Sequence, residues 1–331
     1  MNGLLQPAAR AFCERFDVEL PIVNAPMAHI AGGALAGSVA SAKALGLIGG
    51  GYGDADWIRA QFDLAANHSV GVGLITWRLA TQPDLVARLI SNGVRTFLLS
   101  FGDPSPYTST ILRAGGRLIC QVQSVTDAVR AIDAGADAIV AQGNEAGGHG
   151  RDNESVSKLV PAVVDAVAPV PVLAAGGMTT GRDLATMWSL GAAGVVLGTR
   201  MYATHEALDT GAVKRRLLQA GESATVRTTV FDVLRGPEWP NGYNGRALRN
   251  STTDEWHDRL DELRAAAVVE RDRYAVATSA NDLSQRVIWA GAGVDRVEGI
   301  QPAADVVREV FDRALGTDGS GCDRRNERPT L

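Results

Sequence analysis

Eight short runs that are apolar at nearly every position recur through the first two hundred residues: Pro21–Ala25, Gly46–Gly49, Val70–Leu74, Thr96–Leu99, Arg117–Gln121, Ala138–Ala141, Pro171–Ala174 and Gly194–Leu197. A strand with one wet face alternates apolar and polar residues, whereas a strand covered on both faces does not. Such runs need a layer on each side. The intervening segments near Leu35–Ala44, Asp56–Ala66, Pro83–Ser91, Tyr107–Ala114, Val125–Ala134, Ser157–Val167 and Gly181–Leu190 read as helices that supply one. Two joints repeat the same chemistry, Gly135-Ala136 before AIV and Gly191-Ala192 before GVV: glycine caps a helix and the next strand begins at once.

Eight strand–helix units joined by right-handed crossovers close naturally into a (β/α)8 TIM barrel. An open doubly wound sheet is the rival, but no G-x-G-x-x-G follows any of the runs and no phosphate-binding P-loop is present. The expected fold class is therefore α/β, a (β/α)8 TIM barrel. The beat is lost from about Met201 to Val287, where charged helical sequence surrounds a Gly/Pro/Asn-rich stretch. Residues 201–287 are expected to form a mostly helical cap inserted over the barrel mouth. Residues 1–200 and 288–315 make the barrel, with a closing helix at Gln301–Leu315, and the polar residues 316–331 are expected to be a disordered tail.

Composition narrows the function classes. A net charge of −5 leaves no basic footprint for nucleic acid. Cys13, Cys120 and Cys322 form no CxxC pair and no HxxxH occurs, so neither a metal site nor a disulfide framework is expected. The N-terminal segment lacks the pattern of a secretory signal and no apolar stretch reaches the length of a membrane span, which fits a cytoplasmic enzyme. Small-molecule chemistry is the remaining class, and a homodimer is left open.

A barrel carries its chemistry on the loops after the C-terminal ends of its strands. Four of these loops are unusual. The first is Asn24-Ala25-Pro26-Met27-Ala28-His29, where proline ends strand pairing and small residues leave room for a flat ligand. The second, Gln142 to Arg151, places His149 directly after Gly147-Gly148. A lone loop histidine is more often an ordinary surface residue, but this one follows a central strand amid four glycines, and imidazole can exchange a proton near neutral pH. The third and fourth, around Gly176-Gly177 and Gly198-Thr199, follow the seventh and eighth strands, the usual phosphate site of such barrels; glycine N–H groups there can converge on phosphate oxygens, aided by a helix start at Thr199. Tight helix–strand packing also needs glycine. Two such loops on adjacent strands favour phosphate.

At these residues the chain resembles the nitronate monooxygenase family, the former 2-nitropropane dioxygenases. PIVNAPM, AQGNEAGGHGR, PVLAAGGMTTGRDLATMWSLGAAGVVLGTRMYATHEA and RALRN match in order from about Pro21 to Asn250. The resemblance implies non-covalent FMN in a TIM barrel. Ala25, Pro26 and Met27 would touch the flavin ring. Gln142, Gly147 and Gly148 would face the flavin and its ribityl or phosphate end. Gly176, Gly177, Gly198 and Thr199 would bind the phosphate, and His149 would be the catalytic histidine. Two departures stand out. Gly73, in the third strand, occupies a flavin-contact position where many members have Asn. His29 intrudes into the first loop, either as a second polar group near the flavin or as a residue turned away against the lid.

The implied reaction is oxidation of alkyl nitronates with O2 to a carbonyl compound and nitrite. One alternative keeps the flavin but takes electrons from NAD(P)H, as enoyl-acyl carrier protein or quinone reductases do. A flavin-free, phosphate-binding barrel enzyme is the third reading. Trp239 and Tyr243, in the lid segment Phe231–Asn250, are candidates for shaping the pocket.

Overall fold

A computed structural model describes residues 5–236 and 238–316. Eleven strands are found among the described residues: β1 (Ile22–Asn24), β2 (Leu47–Gly51), β3 (Gly71–Ile75), β4 (Thr96–Ser100), β5 (Arg117–Val122), β6 (Ala138–Gln142), β7 (Gly148–Gly150), β8 (Val172–Ala175), β9 (Gly194–Leu197), β10 (Thr225–Thr228) and β11 (Asn244–Leu248). Eight of them form one parallel sheet in the order β1-β9-β8-β6-β5-β4-β3-β2. These are the eight apolar runs, each within a residue or two of its expected ends.

The ring closes between β1 and β2 through a side chain. Asn24 is fully buried at the end of β1. Its amide Nδ2 donates to the Leu47 carbonyl, and its Oδ1 accepts from the Leu47 N–H, both at 2.8 Å. Together with the parallel bridge Val23–Leu45, this amide does for the last seam what ladder bonds do elsewhere. A buried polar side chain satisfied on both ends in this way is cheap to bury. The fold is a (β/α)8 barrel.

The helical layer follows the strands. The segment Gly181–Ser189 starts with a reciprocal capping box between Thr180 and Asp183. Helix Ala303–Leu315, with Pro302 at its N-cap, packs against both Gly181–Ser189 and Gly33–Ser41 and fills the last place in the ring. An additional helix, Pro7–Phe16, precedes the barrel. Its Arg15 pairs with Asp137 just before β6, which ties it to the N-terminal ends of the strands, away from the catalytic loops.

The inserted segment is not helical alone. β10, β11 and β7 form a small antiparallel sheet, with His149 opposite Gly245. The barrel loop after β6 thus contributes the third strand of the cap. Helices Val230–Arg235, Ser251–Trp256, Leu260–Ala265 and Ala267–Ser279 accompany it, and Phe231, Leu234, Ala247, Trp256, Leu263 and Tyr274 make a second, smaller core. The short strands were hidden because Asn244-Gly245-Arg246 and Gly148-His149-Gly150 carry almost no apolar signal. The expected tail lies almost wholly outside the described residues. Among the described residues, no helix is long and apolar enough to cross a membrane.

Candidate active site

A cavity of about 250 Å³ opens at the C-terminal ends of the strands. It is lined by Ala25, Pro26, Met27, His29, Gly73, Gln142, Gly147, Gly148, His149, Gly198 and Thr199, with Tyr52, Phe101, Arg235, Trp239 and Trp289 among its other walls. A narrower cavity of about 60 Å³ shares Ala25, Gln142, Gly147, Gly198 and Thr199 with it and adds Gly176, Gly177, Gly291 and Gly293. Every residue singled out in the four loops therefore lies on one continuous surface, a wide room leading into a glycine-lined nook.

The first loop is seated on two glycines. A Cβ at Gly49 would stand 2.1 Å from the Met27 carbonyl oxygen, and one at Gly73 would stand 2.2 Å from the Pro26 ring. Both lie far inside van der Waals contact. Gly73 is thus the packing partner of Pro26, and its backbone borders the cavity.

His149 is held from three sides. Its Nε2 lies 2.7 Å from Asp232 Oδ1. Its ring stacks on Trp239, with centroids 3.6 Å apart and planes 7° from parallel, and Trp289 leans against it at 5.0 Å. Burial pushes the imidazole below its ordinary value, against the opposing effect of Asp232. Burial thus favours the neutral form of the ring. The other oxygen of Asp232 is buried without a hydrogen bond to any described group.

The loop that carries the histidine is clamped from below. Nε of both Arg227 and Arg246 donates to the Asn144 carbonyl, and Arg227 also reaches the carbonyls of Ala146, Gly150 and Asn244. Burial pushes Arg227 down to about 10, so it remains charged. Gln142 takes part too: its Oε1 accepts from Gln123 and its Nε2 donates to the His149 carbonyl. Its amide thereby braces the loop while the residue lines both cavities.

In the nook, backbone conformation matters. Gly176 and Gly177 have φ of 115° and 70°, and Gly148 has 69°, a region costly for residues bearing a Cβ. A Cβ at Gly148 would meet no atom within 4 Å, and one at Gly198 would meet Ala25 alone, at 3.8 Å. The space left by both is open. The helix expected to point its dipole here is only Thr199–Tyr202, too short for a strong macrodipole. The longer helix at Gly181 has its N-terminus closed by Asp183, which accepts from the N–H groups of Thr179 and Thr180. The nook is walled chiefly by glycine backbone, with Thr179 and Thr199 beside it.

Sequence reasoning missed the third glycine loop, Gly291-Ala292-Gly293. Its Gly291 N–H donates to Thr199 Oγ1 at 2.8 Å, and the Gly293 carbonyl accepts from Thr179 Oγ1. The signal was present, two glycines one residue apart before the closing helix. Asp232 and Arg235 carried no such signal, being one acid and one base on a charged cap helix. Of the two lid aromatics, Trp239 lines the cavity and covers His149, whereas Tyr243 is not in its lining and instead meets Phe101 and Arg151. His29 sits at the rim, exposed, at φ 58°, with its ring edge-on to Trp57 at 5.2 Å.

Comparison with known proteins identifies the family. The nitronate monooxygenase family model matches residues 75–312. A nitronate monooxygenase of Neurospora crassa is 32% identical over 88% of this chain and 88% of its own length. A hydroxy-oxo-octahydroindene carboxyl-CoA dehydrogenase of Mycobacterium tuberculosis is 35% identical over 66% of this chain and 62% of its own. The crystal structure of nitroalkane oxidase from Streptomyces ansochromogenes superposes with a TM-score of 0.78 at 25% identity, covering 93% of this chain and 98% of that one. The chain belongs to the nitronate monooxygenase family, whose members are flavoproteins.

Proposed function

We propose that the paired cavities hold FMN and that the enzyme oxidises alkyl nitronates with O2 to a carbonyl compound and nitrite. The fit of the group rests on the cradle: a wide apolar room suits a flat ring system, and the open space at Gly148 and Gly198 leads to a nook walled by Gly176, Gly177, Gly291 and Gly293. When bound, FMN supplies the electron transfer between substrate and oxygen. Ala25, Pro26, Met27 and Gly73 border the ring, Gly147 and Gly148 its middle, and Gly176, Gly177, Gly198 and Thr199 the phosphate, which is held by backbone donors rather than by arginine.

The observation that carries the reading is the geometry at His149, which lines the cavity with its Nε2 2.7 Å from Asp232. With Nε2–H donated to Asp232, Nδ1 keeps a lone pair, and burial holds the ring neutral. A neutral imidazole beside an apolar cavity is suited to accept the acidic α-proton of a nitroalkane and then to stay beside the anion it has made. Arg235, whose guanidinium lies 5.9 Å over the Trp289 ring at the cavity edge, adds a positive charge that draws anionic substrate inward. His29 acts at the entrance, in reach of substrates that extend past the rim.

A second reading keeps the flavin but changes the substrate to an acyl thioester, with a nicotinamide as redox partner. The 35% identity to the carboxyl-CoA dehydrogenase favours it. Anaerobic mixing of the flavin-loaded protein with nitronates, NADH and NADPH separates the two. Rapid bleaching by nitronates and none by NADH or NADPH is expected; the reverse pattern would overturn the first reading in favour of the second.

A further inference from the structure

Beside the catalytic cavity lies a second and larger space. A cleft of about 790 Å³ runs between helices Ser105–Arg113 and Val125–Asp133, where the outer layer of the barrel parts. Leu99, Cys120, Val122, Leu112 and Ala131 give it an apolar stretch of wall, Thr108, Gln121 and Gln123 add polar groups, and Arg151 paired with Asp127 is also part of its lining. Phe101 and Gln121 line both spaces.

Phe101 is held in an unusual state. It follows the last residue of β4 at φ 64°, a region that bulky side chains avoid. Its carbonyl is pinned by the Trp77 N–H at 3.3 Å. Its ring stands edge-on between the lid aromatics, 5.1 Å from Trp239 and 5.5 Å from Tyr243. Trp239 faces the catalytic cavity, Tyr243 faces the cleft, and Phe101 stands between them, with Gln121 as the other wall the two spaces share. Strain of this kind persists only where the surroundings over-determine it, and it clusters where ligands are sorted.

We propose that Phe101 is a specificity-determining residue: it is the end wall that limits the aliphatic chain length of the substrate, and the cleft behind it is a latent subsite for linear alkyl tails. The inference rests on reading the cavity as the substrate's. In the wild-type enzyme a tail fills the room as far as the ring and gains nothing from further methylenes. Without the ring, the tail passes into the cleft and lies along its apolar stretch of wall.

The test uses linear carboxylates from propionate to decanoate, planar anions of the same shape as nitronates, bound to the flavin-loaded protein and measured by calorimetry. Glycine is the informative replacement because it adopts φ 64° without strain. For wild type, affinity is expected to level off at the chain length that reaches Phe101. For Phe101→Gly it is expected to keep rising by about fourfold per added methylene, the value for removing one CH2 from water. Ser109→Trp fills the cleft from its exposed helix wall; it is expected to leave the wild-type series unchanged and to restore the plateau in the Phe101→Gly background. Parallel series for wild type and Phe101→Gly, or no binding by either, would overturn the proposal. So would a wild-type long-chain affinity that Ser109→Trp reduces, a result that does not depend on how Phe101→Gly folds. Turnover of ethyl nitronate by the wild-type enzyme reads the proposed reaction separately, so the two can fail independently.

Discussion

Pro26 occupies the space into which a side chain at Gly73 would project: a Cβ there would come within 2.2 Å of the proline Cγ and 2.3 Å of its Cβ. The pair links the first catalytic loop to the third strand, and it converts an apparent loss into a fit. Where the family resemblance leads one to look for an asparagine, this chain has brought its own proline ring down onto bare backbone. Gly73→Ala is therefore expected to lift the Ala-Pro-Met loop toward the cavity. Overpacking of this kind costs about 1–3 kcal/mol. The expected outcome is a lower melting temperature together with a reduced flavin content on purification, read from the flavin absorbance. Gly73→Asn should lose more flavin than Gly73→Ala, even though it restores the commoner residue.

Replacement of His149 should separate two substrates. His149→Ala removes the base, and general bases typically contribute about 10²–10⁴-fold. That loss in kcat/KM is expected with neutral nitroalkanes, where a proton must be taken. With preformed nitronates the loss should be much smaller, since the proton has already gone. Equal losses on both would mean that His149 only positions the substrate.

The pH profile follows from the same imidazole. Burial lowers its proton affinity and Asp232 raises it, with burial the larger effect. Activity with neutral nitroalkanes requires the unprotonated ring, so it should be full at pH 7 and fall as the pH drops below the ordinary value of about 6.5. Removing each influence shifts that acid limb in opposite directions. Asp232→Asn, which deletes the stabilising charge, should move it further down. Trp239→Ala, which uncovers the ring to water, should move it up toward the ordinary value. Steady-state pH profiles of the three proteins measure this directly.

The contrast between legible and hidden parts has physical reasons. Strands buried on both faces announce themselves by unbroken apolar sequence, and the eight barrel strands, β1 to β6 with β8 and β9, were readable on that ground alone. Glycines at strand ends marked the nook, because only bare backbone permits the φ values of Gly176 and Gly177. What escaped was where the residues of the cap point and what they meet. Asp232 reaches His149 across 83 residues of chain, and nothing local distinguishes it from any other helix acid. Trp239 belongs to a loop whose direction is decided by the small sheet beneath it, and that sheet is stitched from strands with little apolar character. Gln142 shows a part the motif did not announce: it lines both cavities as expected, and its amide also bridges Gln123 and the His149 carbonyl.

Arg227 provides the sharpest test of how the cap supports the catalytic loop. Its guanidinium donates to Asn144, Ala146, Gly150 and Asn244, and Arg246 joins it on the Asn144 carbonyl. Bonds from a charged donor are each worth about 1.5–3 kcal/mol, and removing the donor leaves buried carbonyls without partners. Arg227→Ala should therefore loosen residues 144–150, on which both the glycine path of the flavin and His149 depend. The expected result is weaker flavin binding and a drop in kcat, accompanied by new protease cleavage within that loop. Arg227→Lys should rescue little, because a single ammonium cannot span carbonyls that a planar fork reaches together. Full rescue by lysine would show that charge alone, and not the geometry of the fork, holds the loop in place.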